Sequence, residues 1–167
     1  MAAALTNHPH IRKISLISTH PGLSSETERS KRETKDQKWV SLLEQEGIQK
    51  FVEQWETIPL WHSQKTLPDE LLSEQKNIRL GHNPLQLAHS LKTVGLAKMP
   101  DYGQRLSELN IPVDLIVGEK DLKFVDLAKS MDAHLNTSTM FKIENCGHNP
   151  LLEKPDALGK ILHKEVL

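Results

Sequence analysis

Val113-Asp-Leu-Ile-Val-Gly-Glu-Lys-Asp121 and, further along, Cys146-Gly-His148-Asn-Pro150 are the two segments whose reading decides the fold. Each sets one titratable side chain, Asp121 or His148, in a turn just past a short apolar run. Runs of that length rich in β-branched residues are buried strands. In open α/β sheets, sites form where such strands end. An imidazole acts as a general base when a carboxylate holds it in one tautomer, so Asp121 and His148 are read as two members of a catalytic triad.

Outward from this pair, residues 96–167 alternate strand and helix. Ile111-Pro-Val-Asp-Leu-Ile-Val117 reads as a strand, followed by a helix stripe of Phe124, Leu127, Ala128 and Met131. Met140-Phe-Lys-Ile143 is a second strand, and Leu158, Ile161 and Leu162 lie on a closing helix. That alternation marks a parallel sheet with crossover connections. Upstream, residues 11–17 give another strand that empties into the turn-forming Ser18-Thr-His-Pro-Gly-Leu23. Residues 2–5 read as the tail of a helix, because no capping residue precedes them and Asn7, His8 and Pro9 follow.

Between these strands, residues 25–95 read as a run of short helices. Ser25-Glu-Thr-Glu28 has capping-box spacing, so a helix starts there. Gly47 breaks it, after which Ile48, Phe51, Val52 and Trp55 fall at i, i+3, i+4, i+7, and Pro59 stops the pattern. Leu67-Pro-Asp69 opens a further helix that carries Leu71, Leu72 and Ile78 inward and ends near Gly81. Asn83 caps the next, with Leu87, Leu91 and Val94 as its apolar stripe and Gly95 as its stop. A helical insertion between two strands of an α/β protein folds as a cap over the strand ends. The expected organisation is therefore a partial α/β core over residues 1–24 and 96–167, with a helical cap over 25–95.

The whole-chain balance narrows the function classes. Lys+Arg 21 against Asp+Glu 22 gives a formal net charge of -1, which does not point to nucleic acid or an anionic membrane. The mean hydropathy of -0.47 is low, in keeping with an exposed, charged module beside a modest core. A single cysteine, Cys146, excludes an internal disulfide framework and fits a reducing compartment. No stretch has transmembrane length, and the first residues lack the basic and apolar regions of a secretory signal, so the chain is expected in the cytoplasm. His20, His62 and His82 lack metal-ligand spacing; no metal and no cofactor are expected.

In the α/β-hydrolase triad the chain order is nucleophile, acid, histidine, the acid following one late strand and the histidine the next. Asp121 and His148 match the last two, and the chain resembles the C-terminal part of an α/β-hydrolase. The resemblance tightens at Thr19-His-Pro-Gly-Leu23, Trp39, Trp55 with Pro59, Arg79, Asn83, Leu115-Ile-Val-Gly-Glu-Lys-Asp-Leu-Lys-Phe124 and Gly147-His-Asn149. These are similar to the 2-succinyl-6-hydroxy-2,4-cyclohexadiene-1-carboxylate synthases, lyases of menaquinone biosynthesis. Members of that family use a Ser-His-Asp triad to abstract a proton and eliminate pyruvate from 2-succinyl-5-enolpyruvyl-6-hydroxy-3-cyclohexene-1-carboxylate. The resemblance implies a small polycarboxylate substrate, with Arg32 and Arg79 as cap arginines facing it and Trp55 covering its ring. Arginine suits this role because its planar fork binds carboxylate in two places and stays charged.

The chain also departs from that family. No serine sits in a G-x-S-x-G elbow; Ser24 comes nearest, with Gly22 before it but Glu26 after it. Also missing are the early strands, the amides of the oxyanion hole and a further arginine after the elbow, and Met1 aligns just beyond the elbow's place. A Trp-Tyr pair usual in the family is Trp55-Glu56 here. The expectation is a truncated α/β-hydrolase fold, inactive as it stands and inclined to associate through the uncovered edge of its first strand.

Plainer readings stand beside each assignment. Arg32 lies in a charged run that suits a solvated helix face, Arg79 at a helix end where a cation suits the dipole, and Trp55 on a stripe that suits core packing. Cys146 reads as a small buried thiol rather than a nucleophile. Two other functions remain open: a general α/β-hydrolase acting on esters or carbon-carbon bonds, and a non-catalytic remnant that binds a partner.

Overall fold

The computed structural model describes residues 9–163, so the helix tail read over residues 2–5 lies outside them. The chain forms two compact units, one of Met1–Pro21 with Tyr102–Leu167 and the other of Gly22–Asp101. The passage between them falls at 21/22 and 101/102 rather than at 24/25 and 95/96. The reason is local: residues 22–24 and 96–101 belong with the helices. A Cβ at Gly22 would stand 2.5 Å from the Pro100 carbonyl oxygen, and Arg29 donates to the Ala97 and Met99 carbonyls.

In the first unit, β1 (Ile14–Ile17), β2 (Val113–Gly118) and β3 (Ser138–Ile143) form a parallel sheet in the order β1-β2-β3. Among the described residues, the outer edge of β1 has no strand beside it. β2 is buried at every position because it has a strand on each side and helices on each face. Val113, Leu115 and Val117 pack with Val125, Ala128 and Met131 of α4 (Leu122–Asp132), whereas Ile116 packs with Leu158 of α6 (Pro155–His163). The period of two in the strand thus supplies both layers. Asp114 is also buried, and its carboxylate meets Lys13 Nζ at 2.7 Å and accepts from Ser15 Oγ. The strands begin at Ile14 and Val113, later than the 11–17 and 111–117 expected. Pro112 has no N–H to give the ladder, and Ile14 is the register partner of Val113.

In the second unit, the Ser25 capping box forms as expected and opens α1 (Glu26–Trp55). Gly47, at φ 77 and ψ -172, kinks it where the sequence called for a break. α2 (Asp69–Leu80) and α3 (Pro84–Val94) follow, the latter capped by the Asn83 side chain on two backbone amides. A 3-10 helix, Pro59–Thr66, precedes α2 and was not expected. The core is Val40, Leu43, Phe51, Val52 and Ala88.

Two residues expected to point inward are exposed, Ile78 and Val94. In α3 the buried position is Ala88, whose small side chain lets α1 approach. Val94, six residues on, is turned roughly 120° around the helix from it. In α2 the better covered line runs through Leu72, Gln75 and Arg79, which leaves Ile78 outside and carries Arg79 inward.

Candidate active site

Parallel pairing brings the exits of β2 and β3 together. The register ends at Gly118 opposite Ile143, and it is prolonged by Glu119 N–H to the Ile143 carbonyl (2.9 Å) and Lys120 N–H to the Cys146 carbonyl (2.8 Å). Asn145 takes the left-handed conformation that turns the second chain, at φ 53, and its N–H donates to Glu119 Oε2. The consequence is that Asp121 and His148 meet: His148 Nδ1 lies 2.7 Å from Asp121 Oδ2.

A carboxylate in this contact only accepts, so Nδ1 carries the proton and Nε2 holds the lone pair that can receive one. Asp121 stands at the N-cap position of α4, yet its side chain caps nothing; it is committed to the imidazole. The acid side chain is 7% exposed and the histidine 19%, so the pair is shielded while the ring keeps an opening to one side. Phe124, one turn into α4, tilts its ring against the imidazole at a centroid distance of 4.5 Å. These contacts fix both the tautomer and the ring plane.

Two further residues hold this geometry, and sequence reasoning missed both. Gly118 is required by space: a Cβ there would stand 2.0 Å from the Gly147 carbonyl oxygen and 2.5 Å from that of Cys146. Glu153, 8% exposed in α5 (Pro150–Glu153), accepts from the Gly147 N–H at 2.6 Å and the Asn149 N–H at 3.1 Å, one on each side of His148. A signal for it existed, an acid in the first turn after a loop whose amides need acceptors.

Cys146 is fully buried, as read from the sequence. Burial, with the Glu153 charge adding to it, pushes the thiol up to about 11. Such a group stays protonated and is no nucleophile. Ser18, at the end of β1, holds φ 44, which non-glycine residues seldom adopt, and its buried Oγ has no hydrogen-bond partner among the described residues. Strain is thus held at a strand end of this sheet.

The remaining assigned residues lie in the Gly22–Asp101 unit. Arg32 donates through Nε to Asp36 Oδ1 at 2.8 Å, along one face of α1. Trp55 stacks on Phe51 (5.4 Å, 19°), meets Trp39 edge-on (5.4 Å) and tilts toward Trp61 (5.9 Å). Arg79 donates to Glu56 Oε1 at 2.9 Å and sets its guanidinium 5.4 Å from the Trp61 ring centre. Trp55 and Arg79 therefore share one aromatic neighbourhood through Trp61, to which Arg32 is not joined by any contact among the described residues. No group of three or more His, Cys, Asp or Glu able to hold a metal occurs among the described residues, and no helix there is long and apolar enough to cross a membrane.

No family profile matches the chain. It is 33% identical over 159 residues to a Bacillus subtilis protein described as a candidate 2-succinyl-6-hydroxy-2,4-cyclohexadiene-1-carboxylate synthase, covering 95% of this chain and 58% of that protein. The structure of MenH from S. aureus is similar at a TM-score of 0.93 and 32% identity, over 97% of this chain and 61% of that one. A thermophilic esterase from Thermogutta terrifontis is similar at a TM-score of 0.75 and 21% identity, which shows the fold alone. The chain thus carries part of an α/β-hydrolase fold and spans about three fifths of the length of the relatives it matches.

Proposed function

Because this chain is a partial-length relative of the 2-succinyl-6-hydroxy-2,4-cyclohexadiene-1-carboxylate synthases, built on an α/β-hydrolase core, we propose that it supplies the acid, the base and the substrate-gripping cap of that lyase chemistry. The observation that carries the reading is the 2.7 Å contact between His148 Nδ1 and Asp121 Oδ2 at the ends of adjacent parallel strands. Asp121 accepts from Nδ1–H and stabilises the imidazolium that forms when Nε2 takes a proton. In the proposed reaction that proton comes from the substrate by way of a serine hydroxyl, and pyruvate leaves by elimination.

The 167 residues hold no serine in a G-x-S-x-G setting, so the nucleophile is not assigned to any of them, and the chain alone is expected to be inactive. Arg32, Arg79 and Trp55 are assigned to the substrate, the arginines for its carboxylates and the indole for its ring. Cytoplasmic placement, and association through the outer edge of β1, belong to the same proposal. The test is calorimetric titration of the product, a ring carboxylate bearing a succinyl group, into the chain. Saturable binding that weakens by about tenfold or more in Arg32→Ala and in Arg79→Ala is expected. Binding that is indifferent to both substitutions overturns the assignment and leaves the general hydrolase reading.

A further inference from the structure

In the Gly22–Asp101 unit the 3-10 helix and α2 border a cavity of about 310 Å³, lined among others by Glu56, Trp61, Gln64, Lys65, Lys76 and Arg79. Its charge is mixed, three cations against the two acids Glu56 and Asp69. Arg79 is the covered one of the cations, brought inward by the line of α2 that also carries Leu72 and Gln75. Its guanidinium is already engaged by a carboxylate of the chain itself, Glu56, at 2.9 Å, in a pair whose side chains are 18% and 28% exposed. Beside it Gln64 is 3% exposed, and its Nε2 has no hydrogen-bond partner among the described residues.

These facts fit together chemically. A guanidinium offers five N–H donors in a fork, and Glu56 takes one end of it. A buried amide donor without an acceptor costs about 1–3 kcal/mol, which any ligand bearing a carbonyl or carboxylate oxygen at that point recovers. A carboxylate arriving at Arg79 meets not only the cation but also the charge of Glu56, and like charges a few ångströms apart in a half-buried site repel strongly. A ligand with one carboxylate gains little from such an exchange. One with two can put the first on Arg79 and the second within reach of Gln64 and the lysines.

We propose that Glu56 is a resident competitor at this cavity, holding Arg79 until a small dicarboxylate displaces it, and that Glu56 thereby sets which ligands the cavity admits. The proposal rests on the reading of Arg79 as a substrate-binding residue.

The test is titration of succinate into the whole chain and into Glu56→Gln, Arg79→Gln and Gln64→Leu, with urea unfolding to confirm that each is folded. Glu56→Gln keeps an acceptor oxygen for Arg79 but removes the charge, so succinate should bind roughly tenfold tighter. Arg79→Gln in that background should abolish the gain, and Gln64→Leu should weaken binding severalfold. If Glu56→Gln lowers the stability of the chain, Glu56→Ala reads the same direction. Equal binding by the chain and Glu56→Gln, with loss in Arg79→Gln, overturns the competitor while leaving Arg79 as a ligand residue. Absence of binding in every variant, Glu56→Gln included, overturns both.

Discussion

Replacing Gly118 by alanine probes how closely the two segments that carry Asp121 and His148 are pressed together. The added Cβ would lie 2.0 Å from the Gly147 carbonyl oxygen, where contacts under 3.0 Å are essentially never sustained. Both atoms are backbone, so no side chain can swing aside, and the exits of β2 and β3 must part by about 1 Å. The Lys120 N–H bond to the Cys146 carbonyl, now 2.8 Å, and the His148–Asp121 bond, now 2.7 Å, both span that seam. Stretched by about 1 Å, each leaves hydrogen-bonding range. Two bonds at roughly 0.5–1.5 kcal/mol each, with overpacking of roughly 1–3 kcal/mol, give a loss of about 2–6 kcal/mol. Urea unfolding measures the loss, and proton NMR measures the bond through the deshielded Nδ1 proton of His148. Stability within about 0.5 kcal/mol of the parent, with that proton unchanged, would refute the packing argument.

Other outcomes follow from the same geometry. Glu153→Ala leaves the buried Gly147 amide and the Asn149 amide without their acceptor, so a loss of about 2–4 kcal/mol and broadening of the His148 ring signals are expected by urea unfolding and NMR. Ser18→Gly relieves the φ of 44 and removes a buried hydroxyl without a partner, so the unfolding midpoint should rise by an amount worth about 0.5–1.5 kcal/mol. The Cys146 thiol is raised above its ordinary 9.0 to about 11 in the folded chain, and the unfolded chain loses that proton first. Its contribution to stability is therefore full below pH 9 and disappears as pH rises from 9 through 11, which pH-dependent unfolding of Cys146→Ala against the parent measures.

Much of this was legible because local rules governed it. The Ser25 capping box, the Asn83 cap, the Gly47 break and the apolar runs before Asp121 and His148 each depend on neighbours in sequence, and the structure has all of them. What escaped depends on neighbours in space. Gly118 is constrained only by carbonyls from the loop after the next strand, so nothing around it in sequence marks it. Glu153 sits four residues after Asn149, one beyond the spacing of a capping box, and its bonds reach the amides on both sides of His148. Ile78 was misjudged: apolar character argued for burying it, but an ion pair with Glu56 and a nearby indole ring turn its neighbour Arg79 inward instead. The same ion pair gives Glu56 its proposed role, which the sequence registered only as a departure from a Trp-Tyr pair.

The central claim is that His148, held by Asp121, is the base of a pyruvate-eliminating lyase. The most direct measurement joins this chain to the portion of the Bacillus subtilis relative that it does not match and follows pyruvate release from 2-succinyl-5-enolpyruvyl-6-hydroxy-3-cyclohexene-1-carboxylate. The account predicts release by the chimaera, none by the 167 residues alone, and loss of roughly a thousandfold or more in His148→Ala. A folded chimaera that releases pyruvate equally well without His148, or releases none with it, would contradict the account.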